Sequence, residues 1–259
     1  MNEENKRVLA VGAHPDDVEF MCSGALYLLR QRGWEISVCC VARGDCGSMT
    51  RSPEKIAEIR NREAIRAAGL LDASFYQLGE SDLRVFFDDR TLMKLTECIR
   101  KVKPRIVFTH PHMDYMADHE AVSRLVRAAC FAASVPNYTT RTASPQPPAA
   151  GIPCLYYWAP LEGRDIYGDF AEQRIWVNIK DAIDFKVRML SCHESQRDWL
   201  MQQHHMDRYT QTMKNTAKAY GEMSGFGFAE GYTQHLGNAY PQENLLRVIL
   251  GDLVKDGES

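Results

Sequence analysis

Four short apolar runs recur along the first half of the chain, at 6–13, 34–43 ("WEISVCCVAR"), 73–78 ("ASFYQL") and 105–110 ("RIVFTH"). Between and after them, apolar residues fall at helical spacing. One helix is predicted from Val18 to Arg32, with Gly33 as its C′ residue. A second runs from Ser52, a suitable N-cap followed by Pro53 at the first helical position, to Gly69. Others cover 90–102 and 118–133. Strands alternating with helices at these lengths imply right-handed crossovers and a mostly parallel sheet with helices on both faces. In such an α/β, Rossmann-like sheet the ligand site lies at the carboxyl ends of the strands.

Beyond Val135 the stretch "PNYTTRTASPQPPAAGIP", 136–153, is rich in proline and small polar residues and reads as an exposed loop or lid. We take it as an insertion within a single domain spanning 1–259. Further strands are expected at "CLYYWA" and "RIWVNI", and helices at "DAIDFKVRMLSCH" and "MDRYTQTMKNTAKAYGEM". His204 and His205 fall in a polar helical stretch and read as solvent-exposed. The net charge of −3 gives no basic field for nucleic acid or an anionic membrane, so a small-molecule ligand fits better. The start, "MNEENKRVLAVGA", has acids where a secretory signal needs a basic region, which together with eight cysteines lacking any C-x-x-C pair points to a cytoplasmic protein with reduced thiols.

Strand one ends in "AHPDDVE", where Asp16 and Asp17 crowd two negative charges beside His14. Strand four ends at His110 and leads into "PHMDYMADHEAV", which carries His112, Asp118 and His119. Either segment alone could be a capped helix start, with an aspartate near the positive end of the helix dipole. Both, however, fall at strand ends of one sheet. Zinc takes imidazole nitrogen and carboxylate oxygen, and a catalytic zinc needs three protein ligands with one position left open. His14, Asp17 and His119 supply such a set. Asp16 is then free to act as general base toward water acidified by the cation. Iron(II) shares these ligand preferences.

At these residues the chain resembles the PIG-L/LmbE-like family of zinc-dependent N-acetylglucosaminyl deacetylases, marked by "AHPDD" and a later "DH" followed by a small or apolar residue. The resemblance runs from about residue 6 to 235 and takes in "RGDCGS", "IRNREAIRAAG", "ESDL", "HESQ" and "FAEGY". It implies zinc on His14, Asp17 and His119, and Asp16 as general base. Asp118 becomes a contact behind the metal or to the substrate. Arg60 and Glu63 resemble the family's R-x-x-E beside the sugar, and Asp82 a hydroxyl contact; an ordinary i, i+3 surface pair is the alternative for the first two.

Many family members carry a histidine three residues before the ligating one, where this chain has Met116. A thioether can neither donate a proton nor stabilise an oxyanion. His193, in "HESQ", is the first candidate to fill that role and His112 the second. The resemblance implies removal of an acetyl or other acyl group from an amino sugar or glycoconjugate, and a homo-oligomer is compatible with it. Alternatives are an amidase acting on a thiol-sugar or antibiotic conjugate, and a family member that binds sugar without turnover. A nucleotide-binding domain is disfavoured, because the first strand–helix turn lacks G-x-G-x-x-G and "HPDD" would repel pyrophosphate.

Overall fold

The computed structural model describes residues 5–204 and 209–257. The His204-His205 pair lies outside the residues whose side chains are described. The strands β1 (Arg7–Gly12), β2 (Glu35–Ala42), β3 (Ser74–Glu80), β4 (Ile106–Thr109) and β5 (Cys154–Trp158) lie in the order β3-β2-β1-β4-β5, each parallel to its neighbours. The strands β6 (Ile175–Asn178), β7 (Ala229–Gln234) and β8 (Val254–Asp256) continue the same sheet past β5 in the order β7-β6-β8, antiparallel throughout. The chain winds outward from β1 to β3, then returns to place β4 on the other side of β1. That reversal opens a crevice at the carboxyl ends of β1 and β4.

Alternation along β1 divides the core. Val8 and Ala10 face one layer and Leu9 and Val11 the other, as a period of two demands. The first layer packs under α1 (Asp17–Met21), α2 (Ser23–Gln31) and the end of α3 (Pro53–Gly69); the second packs under α4 (Asp89–Val102) and α5 (Ala117–Ala133). Further along the chain, α6 (Ile183–Leu190), α7 (Glu194–His204), α8 (Tyr209–Ser224) and α9 (Leu245–Leu250) follow, with α6, α8 and α9 adding to the first layer. Ser52 caps α3 through the Lys55 amide, with Pro53 at the first position, as expected. No described helix is long and apolar enough to cross a membrane.

The helix expected over 18–32 is two helices. It breaks at Cys22, whose φ of −137° leaves the helical region. The cause lies more than two hundred residues away: the Glu230 carboxylate accepts the amides of Gly24 (2.9 Å) and Ala25 (2.8 Å), satisfying a new helix start. Lys186 pairs with the same carboxylate, and Tyr232 donates to it at 2.7 Å. Segment 136–153 is irregular, as expected, but lines none of the main cavity. It is strapped to α4 and the end of α5: Gln146 N donates to Glu97 (2.9 Å), Ala149 N to Ala133 O (2.8 Å), and buried Arg100 donates to Tyr138 O (3.0 Å).

Lys186 and Glu230 are 2% and 3% exposed, so removing one partner leaves a charge without compensation in the core. Lys186→Met is expected to cost about 3 kcal/mol or more in urea unfolding. Adding Glu230→Gln should recover part of that loss.

Candidate metal centre and active site

The β1–α1 turn separates its two aspartates. Asp16 adopts φ 110°, a left-handed conformation that costs a non-glycine residue about 1–3 kcal/mol. Its side chain makes no helix-cap bond, which removes the simple capping role. The twist sends Asp17 inward, where Oδ2 accepts the His14 amide at 2.7 Å. Gly12 makes room for this, since a Cβ there would lie 2.9 Å from the Asp17 Cβ.

His14 Nδ1 lies 3.7 Å from Asp17 Oδ2, and His119 Nε2 lies 3.6 Å from Asp17 Oδ1. One donor atom from each of the three residues falls within 4.8 Å of the others. The outward nitrogens are held by carboxylates: His14 Nε2 by Asp118 at 3.2 Å and His119 Nδ1 by Asp114 at 2.9 Å. That arrangement fixes each ring with its other nitrogen facing inward, as metal-binding histidines require. His110 braces the group, stacking on His119 at 4.0 Å with Nε2 3.1 Å from Asp17 Oδ2. Donor types, convergence and backing carboxylates all fit a divalent cation, and the outer carboxylates complete what a bare ligand count would miss.

The electrostatics agree. Burial works against charge on His14, yet hydrogen bonds to Asp118 and Asp17 raise its pKa to about 10. Burial also disfavours the Asp17 carboxylate, but His119 and His110 outweigh it and hold the group well below the usual range. His119 is raised in the same manner, with Asp17 and Asp114 overcoming burial. His110 goes the other way, lowered to about 4 by burial and the His119 charge, but around His14, His119 and Asp17 the pocket favours positive charge beside a carboxylate. A second acidic group, Asp45, Cys46 and Asp82, is committed elsewhere: both Asp82 oxygens accept amides, from Gly44 (2.7 Å) and Cys46 (3.0 Å), and Asp45 accepts the Asp82 amide (2.8 Å).

Asp16 faces a different set of partners. Its Oδ1 lies 3.4 Å from Arg60 Nη2, and its Oδ2 accepts the Tyr209 hydroxyl. Arg60 also donates to Pro15 O at 2.7 Å. The Gly-rich loop is shaped around this guanidinium, because a Cβ at Gly44 or Gly47 would come within 2.6 Å of it. Burial raises the Asp16 pKa, opposed chiefly by Arg60. Burial and the Asp16 charge push the Tyr209 phenol well above its ordinary value, so it remains a donor.

A cavity of about 640 Å³ opens on these groups, lined among others by His14, Asp16, Asp17, Arg60, Asp82, His119 and Tyr209. Several residues expected at the site stand away from it. His193 is 1% exposed, does not line the cavity and has its Nε2 3.2 Å from Glu19, so it stands behind the cavity wall. Exposed His112 does not line the cavity either. Glu63 accepts the Ser195 amide (3.0 Å) and hydroxyl (2.5 Å), tying α3 to the start of α7. Asp118 is buried behind His14 and also accepts the amides of Leu83 (2.6 Å) and Val85 (3.4 Å). Asp114 and Tyr209 join the site without having been singled out in the sequence. Only Asp114 had a local signal, as an acid five residues before the ligating histidine.

These contacts predict metal affinities. His119→Ala should retain no stoichiometric divalent metal after dialysis. Asp118→Asn or Asp114→Asn should bind it about 10–100-fold more weakly in competition with a chromogenic chelator.

Residues 9–130 match the PIG-L family, described as GlcNAc-PI de-N-acetylase. The chain is 31% identical over 170 residues to 4-oxalmesaconate hydratase of Pseudomonas putida, a match covering 62% of this chain and 63% of that protein. It is 26% identical over 211 residues to a probable N-acetyl-alpha-D-glucosaminyl L-malate deacetylase 2 of Bacillus cereus, covering 77% of this chain and 88% of the relative. The structure of N,N'-diacetylchitobiose deacetylase from Pyrococcus horikoshii superposes with a TM-score of 0.74 at 23% identity, covering 93% of this chain and 89% of the other; at that identity the likeness speaks for the fold. The paired aspartates after β1 and the histidine on α5 both fall within the stretch that matches the PIG-L family model, and the sheet is the one these relatives' fold carries.

Proposed function

We propose that this protein is a metal-dependent hydrolase that removes an N-acetyl group from an amino sugar or sugar conjugate. One observation carries the reading: two adjacent aspartates diverge from one strained turn, Asp17 into a cation-seeking histidine pair and Asp16 onto the cavity wall beside Arg60 and Tyr209. Zinc is the ion we assign to His14, Asp17 and His119, a set that iron(II) also fits. When bound, such an ion supplies Lewis acidity toward an amide carbonyl and makes nearby water more acidic.

Asp16 takes the proton of a water molecule whose oxygen attacks the acetamide carbon. It returns that proton to the nitrogen as the C–N bond breaks, leaving acetate and a free amine. A carboxylate whose pKa is lifted by burial suits both halves of this cycle. Tyr209 and Arg60 hold the two Asp16 oxygens in place, and Arg60 is itself fixed by Pro15 O and the loop glycines. Asp82 shapes the cavity edge by holding that loop.

The hydratase relative supports a second reading, in which the same cluster adds water to the double bond of an unsaturated polycarboxylate. The lining weighs against it. Asp16, Asp17, Asp82, Asp114 and Glu162 all line the cavity, and Arg60 is already engaged by Asp16. Those charges would repel a polyanion more than a neutral sugar.

Amine release from N-acetylglucosamine and its conjugates, run beside the loss of 4-oxalmesaconate absorbance, separates the two readings; turnover in the second assay alone would refute the first. Asp16→Asn is expected to keep its metal and lose about 10²–10⁴-fold in kcat. Tyr209→Phe should keep its metal and lose about 10-fold in kcat with little change in KM, the mark of a hydrogen bond to a group acting in the transition state.

A further inference from the structure

Three loops at the carboxyl ends of successive strands each place a large apolar side chain at the cavity margin. Met49 follows β2, Leu83 follows β3 and Tyr115 follows β4; all three line the cavity, yet they remain 65%, 66% and 62% exposed. Single exposed hydrophobics are ordinary on a protein surface, but several converging on one opening mark a binding site. Trp199 and Leu200, on α7, continue the apolar wall inward.

Leu83 is held there at a cost. Its φ of 61° lies in the left-handed region, where a leucine is unusual and glycine or asparagine is at ease. The conformation is fixed by its amide, which donates at 2.6 Å to Asp118 Oδ2, the same oxygen that holds His14 Nε2. A glycine would satisfy the backbone without strain. The leucine side chain lines the cavity and stands largely exposed at its opening rather than in the core.

We propose that Met49, Leu83 and Tyr115 form a subsite for an apolar group, alkyl or aryl, attached to the substrate beyond its amino sugar. This rests on the deacetylase reading for the identity of the sugar end. The cavity supports a single occupant, because the apolar margin is continuous with the metal cluster and the volume of about 640 Å³ suits a drug-sized ligand better than one pyranose. The substrate would enter with its acetamide toward Asp16 and Asp17 and its lipophilic end against the three loops.

The test uses the metal-loaded full chain with N-acetylglucosamine and its n-octyl β-glycoside below the micellar concentration. The octyl glycoside is expected to show a kcat/KM at least about tenfold higher, mostly through KM, since burying two methylenes is worth roughly that factor. Leu83→Gly should lower the ratio of conjugate to bare sugar at least fivefold; its backbone suits glycine and its amide still meets Asp118, so it should fold. Met49→Ala, on a different loop, should lower the same ratio. Equal kcat/KM for the two substrates in the unaltered protein, or a ratio unmoved by both variants, overturns the subsite. If neither substrate releases amine, the deacetylase reading fails, and binding followed by the fluorescence of Trp158 and Trp199 decides the subsite by itself. Tighter binding of the octyl glycoside, weakened in both variants, upholds the subsite; equal binding of the two sugars overturns it.

Discussion

The Asp118 carboxylate joins the chemistry of this site to its shape. It is nearly sealed from solvent, and burial would lift its pKa, but the His14 ring and the amides of Leu83 and Val85 outweigh that and keep it ionised. A fixed negative charge there decides which His14 nitrogen carries a proton. Nε2–H points outward to Asp118, and Nδ1 is left facing Asp17 and His119. Asp114 imposes the same choice on His119. The loop after β3 takes its course from the same oxygens, so that loop and the His14 ring share one anchor.

A second constraint is the backbone of Asp16. A left-handed aspartate in a turn between strand and helix is unfavourable by itself and persists because its surroundings over-determine it. Arg60 reaches from α3 to Pro15 O and to the Asp16 carboxylate, and Tyr209 closes from α8. The guanidinium fits only because Gly44 and Gly47 lack side chains. Three elements well separated in sequence thus converge on one residue, and each would be harder to explain without the others.

This division also determines what could be read from the sequence. The parallel sheet was legible because short apolar runs alternate with windows of helical spacing, and the joint reading of "HPDD" and "DH" was legible because the residues of one cluster occupy adjacent strand ends. The break at Cys22 was not, because the cap that causes it is Glu230 on β7. Tyr209 carries no local mark, since its partner Asp16 is 193 positions away. The i, i+3 pairing of Arg60 and Glu63 was misleading for a related reason: the two side chains diverge, one to the β1–α1 turn and one to Ser195 on α7. His193 stands in a recognisable motif, "HESQ". Burial beside Glu19 was invisible from that motif, as side-chain direction depends on how α6 and α7 pack.

Amide hydrolysis and the hydration of a double bond can both begin by making water a nucleophile, a task that one cation cluster can serve. They diverge in where the proton must go. In amide hydrolysis the attacking oxygen and the departing nitrogen are bonded to one carbon, so a single carboxylate beside it can take the proton from water and deliver it to nitrogen. Hydration places oxygen and hydrogen on different carbons, which asks for a donor displaced along the substrate. In this chain Asp16 is held by Arg60 and Tyr209 at both of its oxygens, and such a clamp favours a short return of the proton over a long reach. Under the proposed hydrolysis, the wall around Asp16 and the loops at the cavity margin would decide between the two outcomes, while the histidines beneath would serve either chemistry.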